Sequence, residues 1–180
     1  RAATSAVSSG TPTPTAEPTS AESAWGTSQA DSTLSVGGKP LSDNPVVIAS
    51  QSSWRCVQSH DREGWLALMA DDIVVEDPIG EAVTNPDGTG VKGKEALAAF
   101  YDTNIGPNQL TVTCEETFPS SSPDEIAYIL VLRTEFPNGF VASVRGVFTY
   151  KVNAAGLITN LRGYWNLEAM TFEQPADQAN

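Results

Sequence analysis

Asp77 is the side chain of this sequence most open to chemistry. It lies in Ala70-Asp71-Asp72-Ile73-Val74-Val75-Glu76-Asp77-Pro78-Ile79-Gly80, where acids flank a run of branched apolar residues. Ile73-Val74-Val75 favours a strand. Pro78 ends that strand and biases Asp77 to an extended backbone. A carboxylate at a strand's end can lean into a cavity instead of bulk water. The plainer alternative is a turn acid capped by nearby amides. The acids Asp71, Asp72, Glu76 and Asp77 together suggest a metal cluster, but the chain has 1 His and no supporting ligand spacing, so no metal is expected. Gly88-Thr89-Gly90-Val91-Lys92-Gly93-Lys94-Glu95 nearly reads as a phosphate loop. It fails at Glu95, which replaces the hydroxyl needed for magnesium and would repel phosphate. No G-x-S-x-G motif occurs, and His60, at an interhelix corner, cannot be matched to either cysteine as a nucleophile's base. Cys56 and Cys114 read as buried free thiols.

The elements that must position Asp77 follow from patterning. Asp43-Asn44-Pro45 is a helix start, a capping side chain followed by Pro in the first turn. Val46, Val47, Ile48, Trp54, Cys56 and Val57 form its apolar stripe, to about Ser59. Asp61 caps a second helix over 62–69, with Trp65, Leu66 and Met69 inward. After the strand at 73–77 comes a loop, 81–93, rich in Gly, Pro, Asn and Asp. A third helix runs over 94–104, with Leu97, Phe100 and Tyr101 apolar, and Ile105-Gly106-Pro107 stops it. Strands follow at 110–118, 125–136, 140–152 and 157–170. Helix, helix, strand, helix and then antiparallel strands make an α+β fold. The expected shape is a cone: a long curved antiparallel sheet with three helices from the N-terminal half packed on one side, its mouth an apolar pocket.

Composition sets further bounds. Residues 1–43 are dominated by Ser, Thr, Ala, Pro and Gly, with Trp25 the lone aromatic. Such a segment cannot bury enough apolar surface to offset its ordering entropy, so a disordered tail is expected. The domain spans 44–172, and 173–180 is a flexible end. The net charge is -12. Phosphate backbones need a basic face and anionic membranes attract one, so nucleic acid and membrane surfaces are excluded as partners. No apolar run approaches bilayer length, so no membrane span is expected. The reading is cytoplasmic, with export as the alternative, since the chain begins with Arg and a Ser/Thr/Pro-rich tail suits an exported protein.

Four segments then carry a resemblance: Ala70-Asp71-Asp72; Val75-Glu76-Asp77-Pro78-Ile79-Gly80; Gly93-Lys94-Glu95-Ala96-Leu97-Ala98-Ala99-Phe100-Tyr101; and Gly156-Leu157-Ile158 with Gly163-Tyr164-Trp165. In this order they resemble the ketosteroid (Δ5-3-oxosteroid) isomerase branch of the SnoaL-like, nuclear transport factor 2-like superfamily, over about residues 45–172. The resemblance implies that Asp77 is a general base shuttling a proton between two carbons of an enone, and that Trp165 supports its carboxylate. The family is a standard case of acid–base tuning, and that logic is taken over here from it. Proton removal beside a carbonyl leaves negative charge on oxygen, which needs preorganised donors in a dry site. Here the sequence departs from the family. Ser53 aligns with the family's tyrosine donor on the first helix, and Phe148 with its protonated Asp on the penultimate strand. The family's second tyrosine is kept as Tyr101.

The reading is therefore a cofactor-free isomerase of a 3-oxosteroid or similar flat hydrophobic ketone, homodimeric through its sheet as the family implies. Asp77 is the base, Tyr101 a candidate oxyanion donor, and Trp165 the support. Ser53, Leu66, Met69, Phe100, Phe148 and Leu161 line the substrate site. Plainer roles stand beside these: Tyr101 and Trp165 as packing, Ser53 as a spacer. One alternative is a module that binds a hydrophobic ligand without turnover. Another is a dehydratase, cyclase or epoxide hydrolase using Arg145 or Arg162 against Asp77.

Overall fold

The computed structural model describes residues 35–36 and 39–175. Most of the expected tail, and the end of the chain from 176, lie outside the described residues. Strands β1 (Ser35–Val36) and β2 (Lys39–Pro40) pair with each other. Leu41, placed in the tail by composition, is 1% exposed and belongs to the core. The ordered body therefore begins before Asn44, because one large apolar side chain is enough to dock the segment.

Helix α1 (Pro45–Gln58) starts where its cap predicts: the Val46 N–H donates to Asn44 Oδ1 at 3.0 Å, with Pro45 behind it. Helix α2 (Arg62–Ala67) is capped by Asp61, whose Oδ1 accepts from the Gly64 N–H at 2.8 Å. It is shorter than its apolar pattern suggested. Met69 opens strand β3 (Met69–Glu76) instead of ending the helix. Helix α3 (Lys94–Phe100) continues into a π-helical stretch, Tyr101–Ile105, closed by Gly106 N–H on Tyr101 O at 2.8 Å.

The remaining strands are β4 (Val91–Lys92), β5 (Gln109–Pro119), β6 (Glu125–Glu135), β7 (Val141–Val152), β8 (Ile158–Tyr164) and β9 (Thr171–Glu173). The main sheet runs β4-β3-β8-β7-β6-β5, with β9 also on β7. Pairing is antiparallel except between β3 and β8, which run parallel, so the expected antiparallel sheet is in fact mixed. The cause is connectivity: after β4 and α3 the chain re-enters the sheet at its far edge as β5, and the antiparallel run β5-β6-β7-β8 returns step by step until β8 lies beside β3 in the same direction. The closing strand expected over 157–170 ends at Tyr164, where the chain turns through a short helical segment, Leu167–Ala169, into β9.

Period two sorts β3 and its neighbours. Ile73 and Val75 are buried, while Asp71 and Asp72 are exposed. On β7, Phe148, Tyr150 and Val152 face the core and Val147 faces out. Helix α1 crosses the inner side of β5 to β8, and the three helices and the concave sheet face share one core. Among the described residues, no helix is long and apolar enough to cross a membrane.

Candidate active site

Asp77 continues the inward phase of Ile73 and Val75, so its carboxyl enters the concave face just beyond the end of β3. The turn that holds it is anchored at several points. The Ile79 N–H donates to Gly163 O at 3.0 Å, which fastens the end of β3 to β8. Thr84 Oγ1 donates to Asp77 O at 3.0 Å. The buried Asn85 side chain donates to Pro78 O at 3.1 Å and Gly80 O at 2.9 Å, and accepts from the Gly90 N–H at 2.8 Å. The long loop after Gly80 thus staples the Asp-Pro-Ile-Gly turn in place.

Among the described residues the carboxyl has one side-chain partner. Trp165 Nε1 donates to Asp77 Oδ1 at 2.5 Å. Burial dominates over that bond and pushes the Asp77 pKa up to about 6 from the ordinary 3.8. The contact depends on the glycine between them in space. A Cβ on Gly163 would lie 2.5 Å from Asp77 Oδ1 and 2.9 Å from Trp165 Nε1.

Asp77 opens onto a cavity lined by residues from α1, α2, α3 and the sheet, among them Ser53, Trp54, Trp65, Phe100, Phe148, Tyr150 and Leu161. Its volume is about 80 Å³, against roughly 300–1,000 Å³ for pockets that hold drug-sized ligands. A ligand of that size must therefore part the half-buried side chains of the wall, Trp54, Phe100, Leu110, Val112 and Leu132.

The sequence-predicted residues separate into two groups. Asp77, Trp165, Ser53, Phe100, Phe148 and Leu161 come together around the cavity. Leu66 and Met69 do not line it; they are buried in the core, Met69 because it belongs to β3. Tyr101 is likewise not among the lining residues. Its ring packs on Trp65 at 5.4 Å between centroids, and its buried hydroxyl has no hydrogen-bond partner among the described residues. Tyr101 follows the buried Leu97 by four residues, so it shares the core-facing side of α3 and packs there instead of reaching the cavity.

Three residues escaped sequence reasoning. Tyr150 lines the cavity and accepts from Trp54 Nε1 at 2.9 Å. Trp65 Nε1 donates to Ser53 Oγ at 2.9 Å. The signal for Tyr150 was its two-residue spacing from Phe148 on one strand face. For Trp54 and Trp65, being tryptophans on apolar stripes looked like packing alone.

Both arginines proposed for other chemistries sit elsewhere. Arg162 Nε bonds Glu76 Oε2 at 2.7 Å, and Arg145 Nε bonds Glu115 Oε2 at 2.6 Å. The four acids of the central stretch are divided in the same way: Glu76 outward to Arg162, Asp77 inward, Asp71 and Asp72 to solvent. No grouping of His, Cys, Asp and Glu among the described residues could hold a metal. Cys56 on α1 and Cys114 on β5 are half-buried, not buried as expected.

A SnoaL-like domain profile matches residues 51–161. The Δ5-3-ketosteroid isomerase of Mycobacterium sp. is 85% identical, with a TM-score of 0.72 over 72% of this chain and 99% of that one. The chain belongs to the SnoaL-like family, in its ketosteroid isomerase branch. RV0760c from Mycobacterium tuberculosis, crystallised in complex with estradiol-17beta-hemisuccinate, is 76% identical with a TM-score of 0.70, covering 72% of this chain and 99% of that one. A computationally designed 17-OHP binder is 72% identical at a TM-score of 0.72, covering 73% and 100%. No curated protein matches the chain. An epoxide hydrolase/cyclase-like enzyme, SalBIII, at 15% identity and a TM-score of 0.61, shares the fold alone.

Proposed function

We propose that this protein is a ketosteroid-isomerase-like enzyme that moves a C=C bond into conjugation with the carbonyl of a 3-oxosteroid, with Asp77 as general base. The observation that carries the reading is the Asp77 carboxyl on the wall of an apolar cavity, held by Trp165 and with a pKa raised to about 6. Such a base is mostly ionised at neutral pH yet far more basic than a surface carboxylate, which suits proton removal from carbon. The carboxylate takes a proton from the carbon between carbonyl and alkene. The C–H electrons move into a dienolate, and the new Asp77 O–H returns the proton to the far end of that system. The double bond has then shifted by one position, and proton and electrons balance without a cofactor. Trp165 holds Oδ1, so the other oxygen, Oδ2, is the one free to carry the proton. Conversion of 5-androstene-3,17-dione, followed by the absorbance of the conjugated enone, tests the reading. Asp77→Asn is expected to cost about 10²–10⁴-fold in rate. Unchanged turnover in that variant would remove Asp77 from the mechanism.

The second reading is a binding module, favoured by the narrow cavity and by Ser53 and Phe148 at the family's donor positions. Tight steroid binding by the wild type without any turnover would select it.

A homodimer through the outer sheet face is part of the same proposal. Val147 and Tyr164 are exposed cross-strand partners there, and Phe118 is exposed on the neighbouring edge. Such apolar area on a sheet face suits a second copy. Light scattering during size-exclusion chromatography at micromolar concentration should return twice the chain's mass; a monomer there rejects it.

A further inference from the structure

We propose that the Tyr150 hydroxyl, held by the Trp54 indole, is the hydrogen-bond donor to the oxygen of the bound ligand, a steroid ketone or phenol. As a catalytic assignment this rests on the isomerase reading above; as a binding assignment it needs only the cavity.

An oxygen-bearing ligand needs a donor on the cavity wall. Once Asp77 removes a proton beside a carbonyl, charge builds on the oxygen, and a preorganised donor must face it. Ser53 and Phe148 occupy the places where the resemblance implies the family's two donors. Phe148 has none to offer. Two residues further on, on the same inward face of β7, stands Tyr150. Phe148 pairs in register with Gly163, the glycine against Asp77, and Tyr150 pairs with Leu161, which also lines the cavity. The donor has in effect moved one pleat along the strand.

The hydrogen-bond direction at Tyr150 supports the assignment. An indole N–H can only donate, so Trp54 Nε1, at 2.9 Å, takes one acceptor site of the phenol oxygen and leaves the phenol's own hydrogen uncommitted. No described residue accepts that hydrogen. A hydroxyl that accepts a hydrogen bond becomes a stronger donor through polarisation. Burial, with Asp77 nearby, holds the phenol above its ordinary range, so it stays protonated at neutral pH. The neighbouring hydroxyls differ. The Tyr128 hydroxyl is engaged with Ser50 at 2.7 Å, away from the cavity. Ser53 is backed by Trp65 in a similar way, and is the rival donor.

The test uses the full chain and two probes, estradiol and a steroid lacking the ring-A oxygen. Tyr150→Phe keeps the ring and removes one oxygen. It is expected to weaken estradiol about fivefold to tenfold and leave the deoxy steroid within about twofold. In turnover it is expected to lower kcat by about 10²–10³-fold with little change in KM, since the bond strengthens as charge develops. Trp54→Phe, a positioning change, should weaken estradiol over the deoxy steroid in the same sense by a smaller factor, and it carries the test if Tyr150→Phe does not fold. Equal losses for both steroids, or no loss for estradiol, overturn the assignment. So does a wild type that binds no estradiol, or a Ser53→Ala variant that takes the whole oxygen-dependent loss. A wild type that isomerises no 3-oxosteroid, but whose Tyr150→Phe variant loses only estradiol, rejects the isomerase reading and sustains Tyr150 as the ligand's donor.

Discussion

Asp77→Asn should make the protein inactive and more stable at once. Folding takes the carboxyl from water into the cavity wall, and desolvation outweighs the single Trp165 bond, so its pKa rises from 3.8 to about 6. The folded state then binds the proton more tightly than the unfolded state does. Stability contributed at this site is full below about pH 4, falls as pH climbs towards about 6, and stays at its lower value above that. The rise from 3.8 to about 6 amounts to about 3 kcal/mol, at about 1.4 kcal/mol per pH unit. Asn has the same shape, carries no charge, and keeps an Oδ1 to accept from Trp165. It is therefore expected to stabilise the fold by about 2–3 kcal/mol near pH 8, or roughly 10 °C in Tm. At about pH 4 the gap should close, because the wild-type carboxyl is then protonated as well. Urea unfolding of both proteins across this range, beside the turnover assay, measures it. An Asn variant no more stable than wild type near pH 8, or a gap that ignores pH, refutes the claim that the carboxylate is held out of water.

Three further predictions concern the frame around the carboxyl. Trp165→Phe removes the one bond that favours the charged form, so the pKa of Asp77 rises further above about 6, and the acid limb of the kcat/KM profile should move to higher pH; a limb that stays put separates Trp165 from the base. Gly163→Ala places a methyl 2.5 Å from Asp77 Oδ1 and should lower kcat at least about tenfold and stability by about 1–3 kcal/mol, read by kinetics and thermal unfolding; wild-type kinetics would show that the contact yields freely. Asn85→Ala removes two hydrogen bonds to the Asp-Pro-Ile-Gly turn and a third to Gly90 within the loop and should cost about 2–3 kcal/mol, measured by urea unfolding, with faster amide exchange at Gly90; no loss would mean that the loop is not what fixes the turn.

Local chemistry was legible from the chain alone. Asn44 and Asp61 as caps, β3 from its branched run, the hairpin turns and the α+β order all follow from side chains acting on their own backbone. Asp77 was legible too, since its neighbours in sequence fix both the strand end and the inward phase. What needed the tertiary structure was anything decided by partners far along the chain. The parallel pairing of β3 with β8 sets Gly163 against Asp77, across about eighty residues. Packing of α3 on Trp65 kept Tyr101 in the core, and the early start of β3 took Met69 away from the cavity. Trp54 found Tyr150, and Trp65 found Ser53, only once α1 and α2 lay on the sheet. The direction of a side chain's hydrogen bond is set by whichever group packing brings within reach, and no periodicity in the sequence records that.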